Sequence, residues 1–170
     1  MKIDARHSLI FAVFLSVFSI SVHAQFHLNG NATQINEDCF QLTQAVNWQV
    51  GSIWFTEKVN LNESFQVIMD LKFGCRDADG ADGIVFGFQP ISTNIGVGGG
   101  GIGFLDVKPS LGIEFDTWRN DIYSDPSYDH VAIIQNGDLN HSSPNTLAGP
   151  VQANATNVNI ENCDFHELTV

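Results

Sequence analysis

Short segments in which apolar and polar residues alternate are the main pattern of this chain. The alternation is clearest over residues 64–73, where every second residue is apolar and would lie on one face of a strand. That apolar face consists of Phe65, Val67, Met69, Leu71 and Phe73. Further strand candidates, separated by Gly, Asn, Asp and Pro, are residues 84–89, 101–105, 111–117, 131–135 and 166–170. Many short strands without a helical period predict an all-β sandwich of two antiparallel sheets.

The segment from Glu114 to His130 carries the densest set of candidate metal ligands. Alternation along its first strand places Glu114 and Asp116 together, on the face opposite the apolar residues. Two neighbouring carboxylates on a mostly apolar strand repel each other and are costly to desolvate, so they require a cation or a proton between them. Asn120, Asp125 and His130 follow in the same segment. Because oxygen ligands suit calcium, and carboxylates with one imidazole suit manganese or a similar transition ion, the segment predicts a site for two divalent metals.

This order of ligands resembles that of the L-type (legume-like) lectins, which have a paired calcium and manganese site. The implied roles are manganese binding for Glu114 and His130, bridging of both ions for Asp116 and Asp125, and completion of the calcium site by Asn120 and the backbone carbonyl of Trp118. Every ligand of that pattern within the segment is present. The resemblance therefore implies Ca²⁺ and Mn²⁺, or another transition ion in place of Mn²⁺, as cofactors.

Two further segments resemble the sugar-site loops of these lectins. They are residues 81–89 and 97–104. By this resemblance the Ala81–Asp82 peptide is cis, and Asp82 accepts hydrogen bonds from two sugar hydroxyls. Gly100 would donate its backbone N–H and Asn120 its side-chain amide, while the Trp118 indole would lie against the apolar face of the sugar ring. The implied function is that of a non-catalytic lectin domain that recognises a hexose of a glycan or polysaccharide.

The resemblance implies a concanavalin A-like jelly-roll β-sandwich over residues 25–170, in which residues 39–43 and 51–55 look like the family's first strands. Such sandwiches usually need more than roughly 200 residues, whereas this part of the chain has 146. We therefore expect the domain to be incomplete at its C-terminus. A sandwich that lacks its last strands exposes unpaired edges and apolar surface, so we also expect the chain to be poorly stable or prone to aggregation when it is produced alone.

Residues 1–24 have the features of a signal peptide. The charged residues Lys2 and Arg6 precede an apolar stretch over residues 9–22, and a cleavage site follows at Ala24. The stretch is shorter than the ~20 residues that a membrane span prefers and is interrupted by serines, so we expect no span. These features predict that the mature domain, residues 25–170, is secreted.

The mature chain is strongly acidic, so we do not expect it to bind nucleic acid. The full sequence has seven basic and 19 acidic side chains, and without Lys2, Arg6 and Asp4 it has five and 18, a net charge of −13. An oxidising compartment favours one disulfide among the three cysteines, although their spacing does not identify the pair. The cysteines are Cys39, Cys75 and Cys163.

Two other functions are compatible with the same residues. Secreted glucanases share this kind of sandwich, and Glu114 with Asp116 matches the first half of their catalytic E-x-D-x-x-E or E-x-D-x-E pattern. A retaining glycoside hydrolase needs a second carboxylate about 5–5.5 Å from the first. In this chain Trp118 and Arg119 occupy the positions of that acid in the two patterns. We therefore expect the chain to have no enzymatic activity. In the other alternative, a structural or adhesion module, the metals only brace the fold. The sequence leaves open which sugar is bound and whether the chain forms a homo-oligomer.

Overall fold

The computed structural model describes residues 26–170. The predicted signal peptide, residues 1–24, therefore lies outside the described residues. Within residues 26–170 the chain forms ten β-strands, which pair only in antiparallel fashion, and two short 3₁₀ turns. The strands are β1 (Phe26–Gly30), β2 (Thr33–Asn36), β3 (Cys39–Gln41), β4 (Gly51–Phe55), β5 (Ile68–Leu71), β6 (Gly83–Phe88), β7 (Leu111–Asp116), β8 (His130–Gln135), β9 (Thr146–Gln152) and β10 (His166–Thr169), and the turns are Gly99–Gly101 and Asp121–Tyr123. The predicted all-β class is confirmed.

A four-stranded sheet with the order β6-β7-β8-β9 forms the centre of the described structure. The remaining strands pair as β1 with β4, β2 with β3, and β5 with β10. In the four-stranded sheet, Asp116 at the end of β7 lies between Gly83 of β6 and His130 of β8. This register brings the last residue of β7 and the first residues of β6 and β8 together at one end of the sheet.

The two faces of the four-stranded sheet differ in chemistry, as the alternation along β7 predicts. Gly112, Glu114 and Asp116 are buried on one face of β7. Residues directly opposite each other in antiparallel strands share a face, so His130 and Ala132 of β8 lie beside the two carboxylates. The apolar residues of β7 occupy the other face.

The segment at residues 101–105 is not a strand, and that prediction is wrong. It forms the end of the 3₁₀ turn Gly99–Gly101 and the turn that follows. Phe104 of this segment is buried against the sheet, where Gly87 and Gly112 lie opposite each other. A Cβ at either glycine would lie only 2.5–2.8 Å from the Phe104 ring, so the two glycines make room for this ring.

Several strand boundaries also differ from the prediction. The strand predicted over residues 64–73 is shorter, because ladder pairing with β10 covers only β5. Strands β1, β2 and β9 were not predicted. In β9 the period-two pattern is interrupted by Gly149 and Pro150, and a proline is tolerated there because β9 is an edge strand.

The apolar core lies on the same face of the sheet as the carboxylates. Its buried residues are Phe104, Val107, Ala132, Ile134 and Leu139. A disulfide joins Cys75, shortly after β5, to Cys163, shortly before β10, and among the described residues Cys39 is an exposed free thiol. The bridge thus reinforces the pairing of two strands that are far apart in the sequence. No helix within residues 26–170 is long and apolar enough to cross a membrane.

Candidate metal centre and adjoining loop

Three buried carboxylates lie at the end of the central sheet. Glu114 and Asp116 of β7 are only 1 % and 3 % exposed, and Asp125 from the following loop is buried beside them. The backbone N–H of Trp118 donates to Asp116 Oδ1 at 2.7 Å, and the backbone N–H of Asn120 donates to Asp125 Oδ2 at 2.7 Å. The loop that carries Trp118 and Asn120 is therefore held directly by these carboxylates.

Two histidines complete the cluster. His130 begins β8, and His141 lies in the loop between β8 and β9, with 2.7 Å between the two Nε2 atoms and an angle of 82° between the ring planes. His141 Nε2 also lies 3.4 Å from Asp125 Oδ1 and 3.8 Å from Glu114 Oε2. Imidazole nitrogens and carboxylate oxygens from β7, β8 and the loops that follow these two strands thus lie around a common space.

The possible ligand atoms fall into two groups that share one histidine. In each group the ligand atoms lie within 4.8 Å of one another. One group is Glu114, His130 and His141, and the other is Asp116, Asp125 and His130. Each group has the donors for one cation, and His130 belongs to both groups; the site for two ions stays a prediction.

Unpaired polar atoms provide a test of whether these residues fit a cation. Among the described residues, four buried side-chain atoms of this site have no hydrogen-bond partner: Glu114 Oε2, Asn120 Oδ1, Asp125 Oδ1 and His141 Nδ1. Buried polar atoms are nearly always hydrogen bonded, and a site for a bound ion is one of the usual reasons when they are not. Two of the four atoms are carboxylate oxygens at the centre of the cluster, so the donor set fits divalent metal ions.

The electrostatics of the acids support the same conclusion. Burial, followed by the charges of Asp116 and Asp125, raises the pKa of Glu114 to about 9. Burial raises the pKa of Asp116 to about 8; the Trp118 N–H opposes this shift, and the charges of Asp125 and Asp82 add to it. Such carboxyl groups hold protons at neutral pH unless a cation replaces those protons.

The histidines are kept in the form that binds metals. Burial, followed by the neighbouring His141, lowers the pKa of His130 to about 4, although a hydrogen bond with the Tyr128 backbone favours the charged ring. Burial also lowers the pKa of His141. A metal-binding histidine must be neutral, and its second ring nitrogen usually bonds to a backbone or carboxylate oxygen, as the Tyr128 contact allows for His130.

The predicted sugar-contacting residues adjoin this cluster. The Ala81–Asp82 peptide is cis, as the resemblance implies, and the Asp82 carbonyl accepts a hydrogen bond from the Thr117 N–H at 3.0 Å. A Cβ added to Gly100 would lie 3.1 Å from Asn120 Oδ1, so Gly100 and Asn120 are neighbours. Three separated segments of the sequence therefore meet at one end of β7.

Trp118 presents its side chain to solvent beside the metal cluster. It is 43 % exposed, while its backbone N–H is held by Asp116. An exposed indole on a loop with a fixed backbone can serve as a platform for an apolar ring face. The suggested role of the Trp118 carbonyl as a calcium ligand stays a prediction.

His141 is the residue of the cluster that the sequence analysis missed. It lies eleven positions after His130, in an Asn-Gly-Asp-Leu-Asn-His segment with no ligand spacing of its own. Its backbone N–H donates to the Tyr123 carbonyl at 2.8 Å, which brings the β8–β9 loop back across the metal loop. The polar composition after an apolar strand indicates only a loop, so the sequence carries no local signal for this contact.

The antiparallel sheet, the carboxylate–imidazole cluster at its end and the exposed Trp118 together define a candidate metal-dependent binding site. The sequence model of the family described as the legume lectin beta-barrel domain, the L-type lectin domain, matches residues 17–170. The chain therefore belongs to the L-type lectin domain family.

Similar proteins include two plant lectins and one bacterial toxin. The galactose-binding lectin of Arachis hypogaea is 45 % identical over 67 residues, which cover 36 % of this chain and 24 % of that lectin. The seed lectin beta chain of Spatholobus parviflorus is 32 % identical over 62 residues, 33 % of this chain and 26 % of that protein. The pesticidal crystal protein Cry22Aa of Bacillus thuringiensis is 35 % identical over 103 residues, 59 % of this chain and 14 % of the toxin. The matched parts thus span about a quarter or less of each relative.

Proposed function

We propose that this domain binds a hexose of a glycan through Asp82, Gly100, Trp118 and Asn120, without catalysing a reaction. The observation that carries the proposal is the direct attachment of the sugar-site loop to the metal cluster. The backbone N–H groups of Trp118 and Asn120 donate to two buried carboxylates of that cluster. Any ion that fixes the carboxylates therefore also fixes the proposed binding loop.

Glu114, Asp116, Asp125 and His130 would hold the two divalent ions, with Ca²⁺ on the oxygen-rich side and a transition ion such as Mn²⁺ on the histidine side. The ions would supply the positive charge that keeps the buried carboxylates ionised. Ionised carboxylates accept stronger hydrogen bonds than protonated ones, so Asp116 and Asp125 then hold the loop backbone more firmly.

Each proposed sugar contact has a chemical basis in the residues present. The Asp82 carboxylate can accept hydrogen bonds from two hydroxyls, whereas the Asn120 amide and the Gly100 N–H can donate. The exposed Trp118 ring can cover the apolar face of a pyranose. One of the similar proteins is described as a galactose-binding lectin, which supports a hexose as the ligand class.

The burial of the β7 acids favours metal binding over glycoside hydrolysis. A catalytic acid or nucleophile must reach the scissile bond, and Glu114 and Asp116 are almost completely enclosed. Metal ligation uses both of them where they lie. Release of reducing sugar from a polysaccharide by the wild type, lost in Glu114→Gln, would contradict this assignment.

Secretion forms part of the proposal. The predicted signal peptide supports it, as does the Cys75–Cys163 disulfide, because such bonds persist in oxidising compartments. Recovery of a chain that begins at Gln25 from the culture medium is the expected result. A product that keeps its first 24 residues inside the cell would contradict it.

Asp82→Asn tests the binding proposal directly. The change removes a carboxylate acceptor at the proposed sugar site without altering a proposed metal ligand, so glycan binding should fall at least about tenfold while calcium affinity stays nearly unchanged. Binding is measured on a glycan array and then by calorimetry with the best sugar. Asp79→Asn is the matched control, since Asp79 is an exposed acid three residues earlier that pairs with Arg76.

The outcomes separate the proposed function from its alternatives. Loss of binding in Asp82→Asn and retention in Asp79→Asn would support the lectin site. Equal binding by both variants would contradict the assignment of Asp82. A folded, metal-loaded wild type that binds no glycan would favour the structural or adhesion module.

A further inference from the structure

The β8–β9 loop places a second imidazole in the metal centre. The side chain of His141 is 2 % exposed, and the loop is fixed by the hydrogen bond from the His141 N–H to the Tyr123 carbonyl. Tyr123 belongs to the 3₁₀ turn inside the segment from Glu114 to His130. His141 is therefore held against that segment by backbone as well as side-chain contacts.

His141 Nε2 hydrogen bonds with His130 Nε2 and also lies close to two carboxylate oxygens, so its surroundings fit a metal ligand. This nitrogen lies 2.7 Å from His130 Nε2, 3.4 Å from Asp125 Oδ1 and 3.8 Å from Glu114 Oε2. One proton on His141 Nε2 can serve only one of these acceptors well. The two carboxylate oxygens have no hydrogen-bond partner among the described residues, and a cation between them and the imidazole would satisfy all three ligand atoms at once.

We propose that His141 is a second imidazole ligand of the ion held by Glu114 and His130, and that this donor set selects Zn²⁺ over Mn²⁺. The inference rests on the metal centre of the proposed function and assigns the identity of its transition ion. Zinc is bound in proteins by combinations of imidazole and carboxylate ligands, commonly four in number. Manganese sites instead favour carboxylates, carbonyls and water, and manganese stands below zinc in the general order of affinities.

The test compares the wild-type chain with His141→Gln, which keeps hydrogen-bonding groups at this position but removes the imidazole. Each demetallated protein is titrated calorimetrically with Zn²⁺ and, separately, with Mn²⁺. Visible absorption of the Co²⁺ adduct reports the coordination geometry. His27→Gln is the matched control, because His27 lies in β1 and contacts Asn94 rather than the metal cluster. Circular dichroism and retained Mn²⁺ binding show that the variant is folded.

We expect the wild type to bind Zn²⁺ roughly 100-fold or more tightly than Mn²⁺. Loss of even an outer-shell partner weakens metal binding by about 10–100-fold, so His141→Gln should lose at least that much Zn²⁺ affinity. Its Mn²⁺ affinity should change less than about threefold, and its Co²⁺ bands should weaken. His27→Gln should match the wild type.

An unchanged ratio of Zn²⁺ to Mn²⁺ affinity and an unchanged Co²⁺ spectrum in folded His141→Gln would overturn the inference while leaving the metal centre in place. A wild type that binds neither ion would overturn both. Failure of glycan binding alone would count against the lectin function, and the metal titrations would still decide the role of His141.

Discussion

Glu161 is a buried carboxylate outside the metal centre. It is 4 % exposed, and its Oε2 has no hydrogen-bond partner within residues 26–170. Burial, followed by the charges of Asp129, Asp77 and Asp79, raises its pKa to about 7, against a smaller opposing effect of a hydrogen bond with Thr117. At neutral pH this residue therefore carries a proton for a substantial part of the time.

The raised pKa of Glu161 should make the stability of the fold depend on pH. The folded state binds the proton more tightly than the unfolded chain, whose ordinary pKa is 4.5, so this group lowers stability as pH rises from about 4.5 to about 7. Glu161→Gln keeps the shape of the protonated acid and does not ionise. We expect its melting temperature to exceed that of the wild type at pH 8 and to approach it at pH 4.5.

The difference between the two melting curves isolates Glu161 from the other buried acids, which titrate in both proteins. Differential scanning calorimetry at constant ionic strength measures it. A difference in melting temperature that is the same at pH 4.5 and pH 8 would contradict the assigned pKa.

At the scale of elements, the strand β7 shows what the sequence could predict. Alternation from Leu111 to Asp116 was enough to place Glu114 and Asp116 on one buried face, because a strand has only two faces. The position of Phe104 could not be predicted in this way. Its segment has the composition of a strand, but the fold uses it as a turn that lies over Gly87 and Gly112.

Contacts between distant loops were the other limit of the sequence analysis. His141 joins the metal centre through the path of the β8–β9 loop, and Cys75 meets Cys163 through the pairing of β5 with β10. Neither contact follows from local periodicity. The resemblance to L-type lectins, in contrast, grouped residues from three segments that the structure brings to one end of β7, and it implied the cis peptide before Asp82.

The packing of Phe104 on β7 can be tested with a double-mutant cycle. A Cβ at Gly112 would lie 2.8 Å from the Phe104 ring and 3.0 Å from Val85 Cγ1, so Gly112→Ala should lower the free energy of unfolding by about 1–3 kcal/mol. In a Phe104→Leu background the same change should cost less, since the shorter side chain vacates the space. Urea denaturation measures both costs, and additive effects would show that the ring and the glycine are not coupled.

At the scale of the whole molecule, apolar side chains remain accessible on the sheet face opposite the metal centre. Ile133 of β8 is exposed, and so is Val151 of the edge strand β9, whose partner Val131 lies on the same face as Ile133. Contiguous exposed apolar surface beside an edge strand promotes self-association.

We expect the chain produced alone to elute from size-exclusion chromatography as oligomers or aggregates at micromolar concentration. The double variant Ile133→Lys with Val151→Lys should shift the protein toward the monomer, because it places positive charges on the apolar face without touching a metal ligand. A monomeric wild type with a cooperative thermal transition would contradict this expectation.

The most direct test of the central claim is glycan binding by the metal-loaded domain before and after treatment with EDTA. The proposed function predicts binding to a defined hexose-containing glycan, loss of that binding on chelation, and recovery when Ca²⁺ and the transition ion are restored. Binding that persists after both ions have been removed would contradict the link between the buried cluster and the loop that carries Trp118 and Asn120.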